Sequence, residues 1–187
     1  MGDFAQYFYP WATRTGLGIK ALTPIVKQLV REDVVAEITV EGIAKACFIL
    51  SKDLRQLETA TDRQRHHASL ISPFDNLTWG KPRVRELFEY NPSLELYVQK
   101  EKRKFGYYSM SIVFEDRIVG RLDPKMHRDE ETMEIRALSL EEGFRPDGKF
   151  KEQLSRTILN FNRFHKAQEC TFGNKCPEWL KAIDLGQ

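Results

Sequence analysis

A run of basic and aromatic side chains near the middle of the chain has the residue types that bind nucleic acid. The sequence KEKRKFGYY at positions 100–108 supplies four candidate contacts: Lys102, Arg103, Lys104 and Tyr107. Ammonium and guanidinium groups neutralise phosphates, and tyrosine rings stack on unpaired bases. Alternatively, the rings belong to a core and the charges are only solvated. We favour the core for Tyr108, and for residues 102–104 both interpretations stay open.

Two predicted helices supply further candidate contacts: Lys27, Gln28 and Arg31 on the first, and Lys81 and Arg83 on the second. The first set faces outward from a helix that could enter the DNA major groove. The second set could hold phosphates, although residues two positions apart on a helix point in different directions. Residues 1–61 carry as many acidic as basic side chains. A neutral segment of this kind also suits contact with another protein, so this alternative stays open.

The remaining reactive side chains do not indicate a metal or cofactor site. Cys47, Cys170 and Cys176 are odd in number and lack Cys-x-x-Cys spacing, which predicts reduced thiols. The side chains of the adjacent His66 and His67 diverge in an extended chain, so the pair alone is a poor metal site. We therefore expect no metal and no cofactor.

Two aspartates are predicted to have structural roles. Asp75 follows Pro73 and is expected to stabilise a turn or cap a helix. Asp123, beside Arg121, is expected to close a hairpin. Neither is predicted to be a catalytic acid.

The first part of the chain predicts a winged-helix domain over residues 1–58. Asp3 can cap a short helix that ends near Tyr9, and a longer helix over 23–32 begins with Thr23 as its N-cap. Strands over 34–40 and 45–50 form a hairpin around Gly42. The order of helices followed by a two-stranded wing is that of a winged helix. Residues 59–71 are expected to be a polar linker.

Residues 72–187 predict a second, β-rich domain. After a short helix at Lys81, alternating apolar positions predict strands over 94–98, 117–122 and 133–137. Residues 105–114 are aromatic and aliphatic on both faces, which predicts a central strand. A long amphipathic helix over 149–169 is expected to pack across the sheet. We expect an irregular tail after Cys170, with Trp179 and Leu180 docking back. The fold class is therefore α+β: a winged helix followed by a small antiparallel curved sheet or open barrel, packed by a long C-terminal helix.

Four short motifs follow one another along the chain: SPFD at 72–75 with Trp79, KRKFGYY at 102–108, VGRLD at 119–123 with Arg128, and ALSLEEGF at 137–144. In this order and at these spacings they resemble the winged-helix crosslink-repair DNA glycosylases of the YcaQ family. The resemblance covers residues 13–144. It implies the C-terminal part of that fold, in which tandem winged helices precede a β-barrel-like domain, and double-stranded DNA, damaged or distorted, as the partner.

The catalytic motif of that family has no counterpart here. The resemblance implies a Gln-x-Gln or Gln-x-Asp motif in the early winged helices, yet no glutamine of this chain is followed two positions later by Gln or Asp. The nearest sequence is Gln56-Leu57-Glu58, in a polar connection over residues 51–71 that follows the hairpin. We therefore expect no catalytic residue in this chain and no glycosylase activity from it alone.

Three origins are consistent with a chain that has the motifs of the family but lacks its catalytic motif: an expressed fragment, a shortened reading frame, or a stand-alone relative that has lost catalysis. One alternative is an active glycosylase completed by a separate N-terminal segment; another is a transcription-regulator-like winged-helix module. The N-terminus lacks a signal peptide, and no apolar run approaches the ~18 residues of a membrane span. We expect a cytoplasmic protein with no membrane partner.

Overall fold

The computed structural model describes residue 14 and residues 21–60 and 67–182 of the 187-residue chain. The described residues belong to two compact units. The first is drawn from residues 1–64 together with 80–89, and the second from 65–79 together with 90–187. The structure is a mixed α+β fold. The predicted helix near Asp3 lies outside the described residues.

The described part of the first unit contains a helix, a hairpin and two further helices. Helix α1 (Leu22–Arg31) precedes the antiparallel hairpin of β1 (Val35–Ile38) and β2 (Cys47–Leu50). A 3₁₀ turn (Ser51–Asp53) and helix α2 (Leu54–Thr59) follow. Helix α4 (Lys81–Phe88) also belongs to this unit.

The second unit is built on one five-stranded open sheet in the order β3-β4-β5-β6-β7. Its strands are β3 (Ala68–Ile71), β4 (Met110–Phe114), β5 (Arg117–His127), β6 (Thr132–Leu140) and β7 (Glu169–Lys175). Its helices are α3 (Asn76–Trp79), α5 (Gly148–His165) and α6 (Glu178–Lys181), with a 3₁₀ turn at Lys100–Lys102. The described strands do not close into a barrel.

The core of the second unit lies between the sheet and α5. Phe150, Leu154 and Ile158 recur along one face of α5 and are completely buried, as the period of an amphipathic helix requires. They pack against Ile112 and Leu122 of the central strands. The predicted helix that crosses the sheet is confirmed.

The predicted strand over 94–98 is wrong, because these residues form turns and irregular structure. The expected alternation fails at Glu95, which is buried, whereas Tyr97 is 88% exposed, as the pattern predicts. The predicted strand over 105–114 is too long, and only Met110–Phe114 is a strand. Strand β5 continues past residue 122 to His127, so Asp123 lies within a strand and does not close a hairpin.

The sheet is not purely antiparallel. Each of the strands β3 to β6 pairs antiparallel with the next one along the chain, whereas β7 runs parallel to β6. The prediction of an irregular tail after Cys170 is therefore wrong, since β7 continues to Lys175. Leu180 is fully buried, so its predicted docking is confirmed. The predicted linker also contains regular structure, since its last four residues, Ala68–Ile71, form β3.

The outer parts of the first unit differ in detail from the sequence prediction. Helix α1 begins at Leu22 without a side-chain cap, so Thr23 is not its N-cap. Of the apolar residues of this helix, Leu22 and Val26 are buried, whereas Ile25 is 42% exposed. The hairpin and its turn at Gly42, which has a φ of 77°, are confirmed. The winged-helix identity, the curvature of the sheet and the domain boundaries at 58 and 71 stay predictions.

None of the described helices combines the length and the apolar character that a membrane crossing requires.

Candidate nucleic-acid interface

The predicted basic run belongs to a closed loop of the second unit, residues 95–107, which we call the basic loop. The buried Glu95 carboxylate closes it. One carboxylate oxygen accepts the backbone N–H of Lys104 (3.2 Å), and the other accepts those of Phe105 (2.8 Å) and Gly106 (3.1 Å). Burial opposes ionisation of Glu95, but these three donors outweigh it and hold its pKa below the usual value. The loop is thus closed around a carboxylate.

Further hydrogen bonds order the interior of the basic loop. The Val98 N–H donates to the Glu95 carbonyl (3.0 Å), and the Lys102 N–H to the Gln99 carbonyl (2.9 Å). The Arg103 Nε donates to the Val98 carbonyl at 2.8 Å. A short segment whose ends meet and which bonds within itself is typical of a compact Ω-like loop.

The lysines of this loop and its Tyr107 ring face solvent. Lys100, Lys102 and Lys104 are exposed. The Arg103 guanidinium is half-buried and lies 4.8 Å from the centroid of the Tyr107 ring, which is 47% exposed. The structure therefore brings four of the predicted contacts together: Lys102, Arg103, Lys104 and Tyr107.

A buried arginine connects the basic loop to the sheet. Arg121 on β5 is 4% exposed, and its guanidinium lies 4.0 Å from the centroid of the Phe105 ring and 4.3 Å from that of Tyr90. It also donates to the Glu141 carboxylate (2.6 Å) and to the Asn91 carbonyl (2.7 Å). Stacking and charge-assisted bonding together fix the position of Phe105.

Gly106 and Asp123 meet at the end of the loop. Gly106 has a φ of 127°, and a Cβ at this position would collide with the Asp123 carboxylate. Asp123 is buried and accepts a hydrogen bond from the Tyr108 backbone. Burial is the largest influence on Asp123 and raises the pKa of its carboxyl group. Only glycine fits the conformation and the space at position 106.

The SPFD segment lies against the same region. The hydroxyls of Ser72 and Tyr108 are 2.8 Å apart, and the rings of Phe74 and Tyr108 are 6.0 Å apart. Phe74 and Trp79 are about half exposed, at 46% and 45%. Partly exposed aromatic rings therefore lie on the segment that contacts Tyr108, the residue just after the basic loop. Tyr108 is half-buried, which is intermediate between the two interpretations made for it.

Asp75 has the predicted structural role. Its side chain accepts the backbone N–H of Leu77 at 2.8 Å, and its own N–H donates to the Ser72 carbonyl. This is an Asx-type turn that begins α3.

The other predicted contacts lie in the first unit, on two different helices. Lys27 and Arg31 are exposed on α1 and line a groove together with Glu37. Gln28 donates to Glu32 at 2.7 Å. On α4, Lys81 is exposed and Arg83 is half-buried.

Sequence reasoning missed the buried ions that support the basic loop. Glu95 and Arg121 are charged residues of predicted alternating strands, whose charged positions are expected to face solvent. A charged residue at a strand position is usually solvated, and burial of these two depends on partners distant in sequence. The signals available were the Gly106 position and the aromatic Tyr90 and Phe105, whose spatial convergence the sequence does not reveal.

The described residues include no cluster of three or more His, Cys, Asp or Glu side chains that could hold a metal ion. Cys47, Cys170 and Cys176 are free thiols. Burial raises the pKa of Cys170 and of Cys176, which keeps these thiols protonated and unreactive at neutral pH.

A protein-family model described as "DNA glycosylase AlkZ-like" matches residues 10–164 of the chain. The matched range includes the basic loop, the SPFD segment and all the candidate contacts. No solved structure matches the chain.

Proposed function

We propose that this chain, which belongs to the AlkZ-like DNA glycosylase family, is a DNA-binding module that holds damaged or distorted duplex DNA through the basic loop. The observation that carries the proposal is the clustering of exposed cations and a partly exposed tyrosine on one closed loop of a family member. Cations match the regularly spaced phosphates of a duplex, and the aromatic ring offers a stacking surface where bases are unpaired.

The proposed function does not include base release by this chain alone. An alkyl group at N7 makes a purine positively charged and a good leaving group, so an enzyme mainly has to orient water and stabilise the developing charge on the sugar. The Gln-x-Gln or Gln-x-Asp motif that the resemblance implies for this task is missing from the sequence. We propose that the chain contributes DNA binding to repair, with N7-alkylated or crosslinked duplex as the preferred ligand.

Neutralising two cations of the basic loop tests the proposal. The double variant Lys100→Ala with Lys102→Ala leaves Arg103 and its bond to Val98 in place. We expect weaker binding to every duplex sequence, with the slope of log K against log salt reduced by about 1–2, since each phosphate contact contributes about 0.9. Fluorescence anisotropy with a labelled duplex at several salt concentrations measures both quantities.

The matched control is Lys125→Ala with Lys175→Ala, which removes the same charge from exposed positions on β5 and β7. This control should retain most of the affinity and the original slope. An equal loss of slope in both double variants would show that overall charge, and not the basic loop, determines binding.

A further inference from the structure

We infer that Glu95 is a positioning residue for DNA binding: its buried carboxylate holds the basic loop in the shape in which its cations can contact phosphates. This inference rests on the proposed function and adds to it the mechanism that orders the binding surface. Glu95 itself is 9% exposed and is not expected to touch DNA.

The geometry supports a holding role. The three N–H groups that Glu95 accepts belong to consecutive residues, 104–106, and the carboxylate reaches them across nine to eleven positions of the chain. Successive backbone N–H groups that converge on one anion form a nest, which here is filled by the protein's own carboxylate. Lys104 takes part through its backbone, so its side chain stays available at the surface. These three hydrogen bonds therefore fix the backbone of the segment that carries the exposed cations.

Contacts with strand β5 also fix the position of the basic loop relative to the sheet. The backbone N–H of Phe105 donates to Glu95, and its ring stacks on the Arg121 guanidinium. Gly106 lies against Asp123. Both contacts connect the loop to β5, a central strand of the sheet. A surface ordered before binding loses less conformational entropy when it binds, which favours affinity.

A positioning role and a purely electrostatic role of Glu95 predict opposite changes in DNA affinity. Removing either Glu95 or Glu101 makes the protein more positive by one charge, so electrostatics alone predicts tighter DNA binding for both. Glu101 is exposed on the same loop. If Glu95 positions the loop, Glu95→Ala weakens binding although it adds positive charge, whereas Glu101→Ala retains or strengthens it.

The experiment compares the full chain with Glu95→Ala, Glu95→Gln and Glu101→Ala, using amide hydrogen exchange and salt-dependent anisotropy. In Glu95→Ala we expect the amides of residues 104–106 to exchange about tenfold faster or more, with strand β5 unaffected. We also expect DNA affinity to fall about three- to tenfold with a smaller salt slope. Glu95→Gln keeps one carbonyl acceptor but places an amide donor toward part of the nest, so it should be intermediate in both measurements.

Unchanged exchange of residues 104–106 in Glu95→Ala would overturn the inference, and so would a loosened loop that binds DNA as tightly as the unaltered chain. If Glu95→Ala does not fold, Glu95→Gln decides: faster exchange with weaker binding supports the inference, and unchanged binding overturns it. Absence of DNA binding by the unaltered chain would instead overturn the proposed function, and with it the role toward DNA. The exchange data would then still show whether Glu95 orders the loop.

Discussion

At the scale of single residues, the second unit depends on ionisable groups that are buried away from water. The Glu141 carboxylate and two aromatic rings compensate part of the charge of the buried Arg121. Such groups lose hydration energy on folding and persist only where partners compensate. Asp123 is less well compensated than Glu95, because burial outweighs its backbone hydrogen bond and raises its pKa, whereas the pKa of Glu95 is lowered.

The first prediction concerns the stability of Asp123→Asn as a function of pH. The folded-state pKa of Asp123 lies above the ordinary aspartate value of 3.8, so its contribution to stability is fully present below that value and is lost as pH rises through the folded pKa. Asparagine carries no charge and can still accept the Tyr108 N–H. We expect a higher Tm than the unaltered chain at pH 7, with the difference shrinking as pH falls toward 4.

Thermal unfolding of both proteins across this pH range provides the measurement. A difference that grows as pH falls would mean that the ionised carboxylate stabilises the fold and that burial does not dominate its pKa.

At the scale of elements, the strongest periodic patterns predicted the structure well and the short or two-sided ones did not. Helix α5 has an uninterrupted apolar stripe, and its position and packing follow from that pattern. Strand β7 has no regular alternation and pairs in parallel at the edge of the sheet, so its sequence resembles a loop. Strand β3 has only four residues, too few to establish a period.

The ends of α5 show which local signals determine its boundaries. The Asp147 side chain accepts the Phe150 N–H at 2.7 Å and begins the helix. Lys166, with a φ of 58°, ends it in the left-handed conformation. The sequence prediction extended this helix to residue 169, because a left-handed lysine is not an expected stop signal.

The second prediction concerns the cap of α5. Asp147→Ala removes the side-chain acceptor, so we expect a loss of about 1 kcal/mol in the free energy of unfolding. Asp147→Asn is the matched control, because its carbonyl can accept the same N–H and should preserve most of the stability. Chemical denaturation measures both. Equal losses in the two variants would show that the carboxylate charge, and not the capping bond, stabilises the helix.

At the scale of the whole molecule, the family could be predicted from the order of its motifs. The contacts that hold the basic loop against the sheet could not be predicted. The motifs KRKFGYY and VGRLD are separate in sequence. In the structure they meet where Phe105 stacks on Arg121 and Gly106 lies against Asp123. These contacts bridge the loop and β5, so they are defined only by the tertiary fold.

We propose that this chain binds damaged duplex DNA without releasing a base. The most direct test incubates the purified 187-residue chain with N7-alkylated duplex at a concentration at which a gel shift shows all the duplex bound, and measures free purine over time. We predict a shifted complex and purine release at the spontaneous rate of the unbound duplex. Release well above that rate would show that the chain is an active glycosylase, and the absence of a complex at low salt would show that it does not bind this duplex.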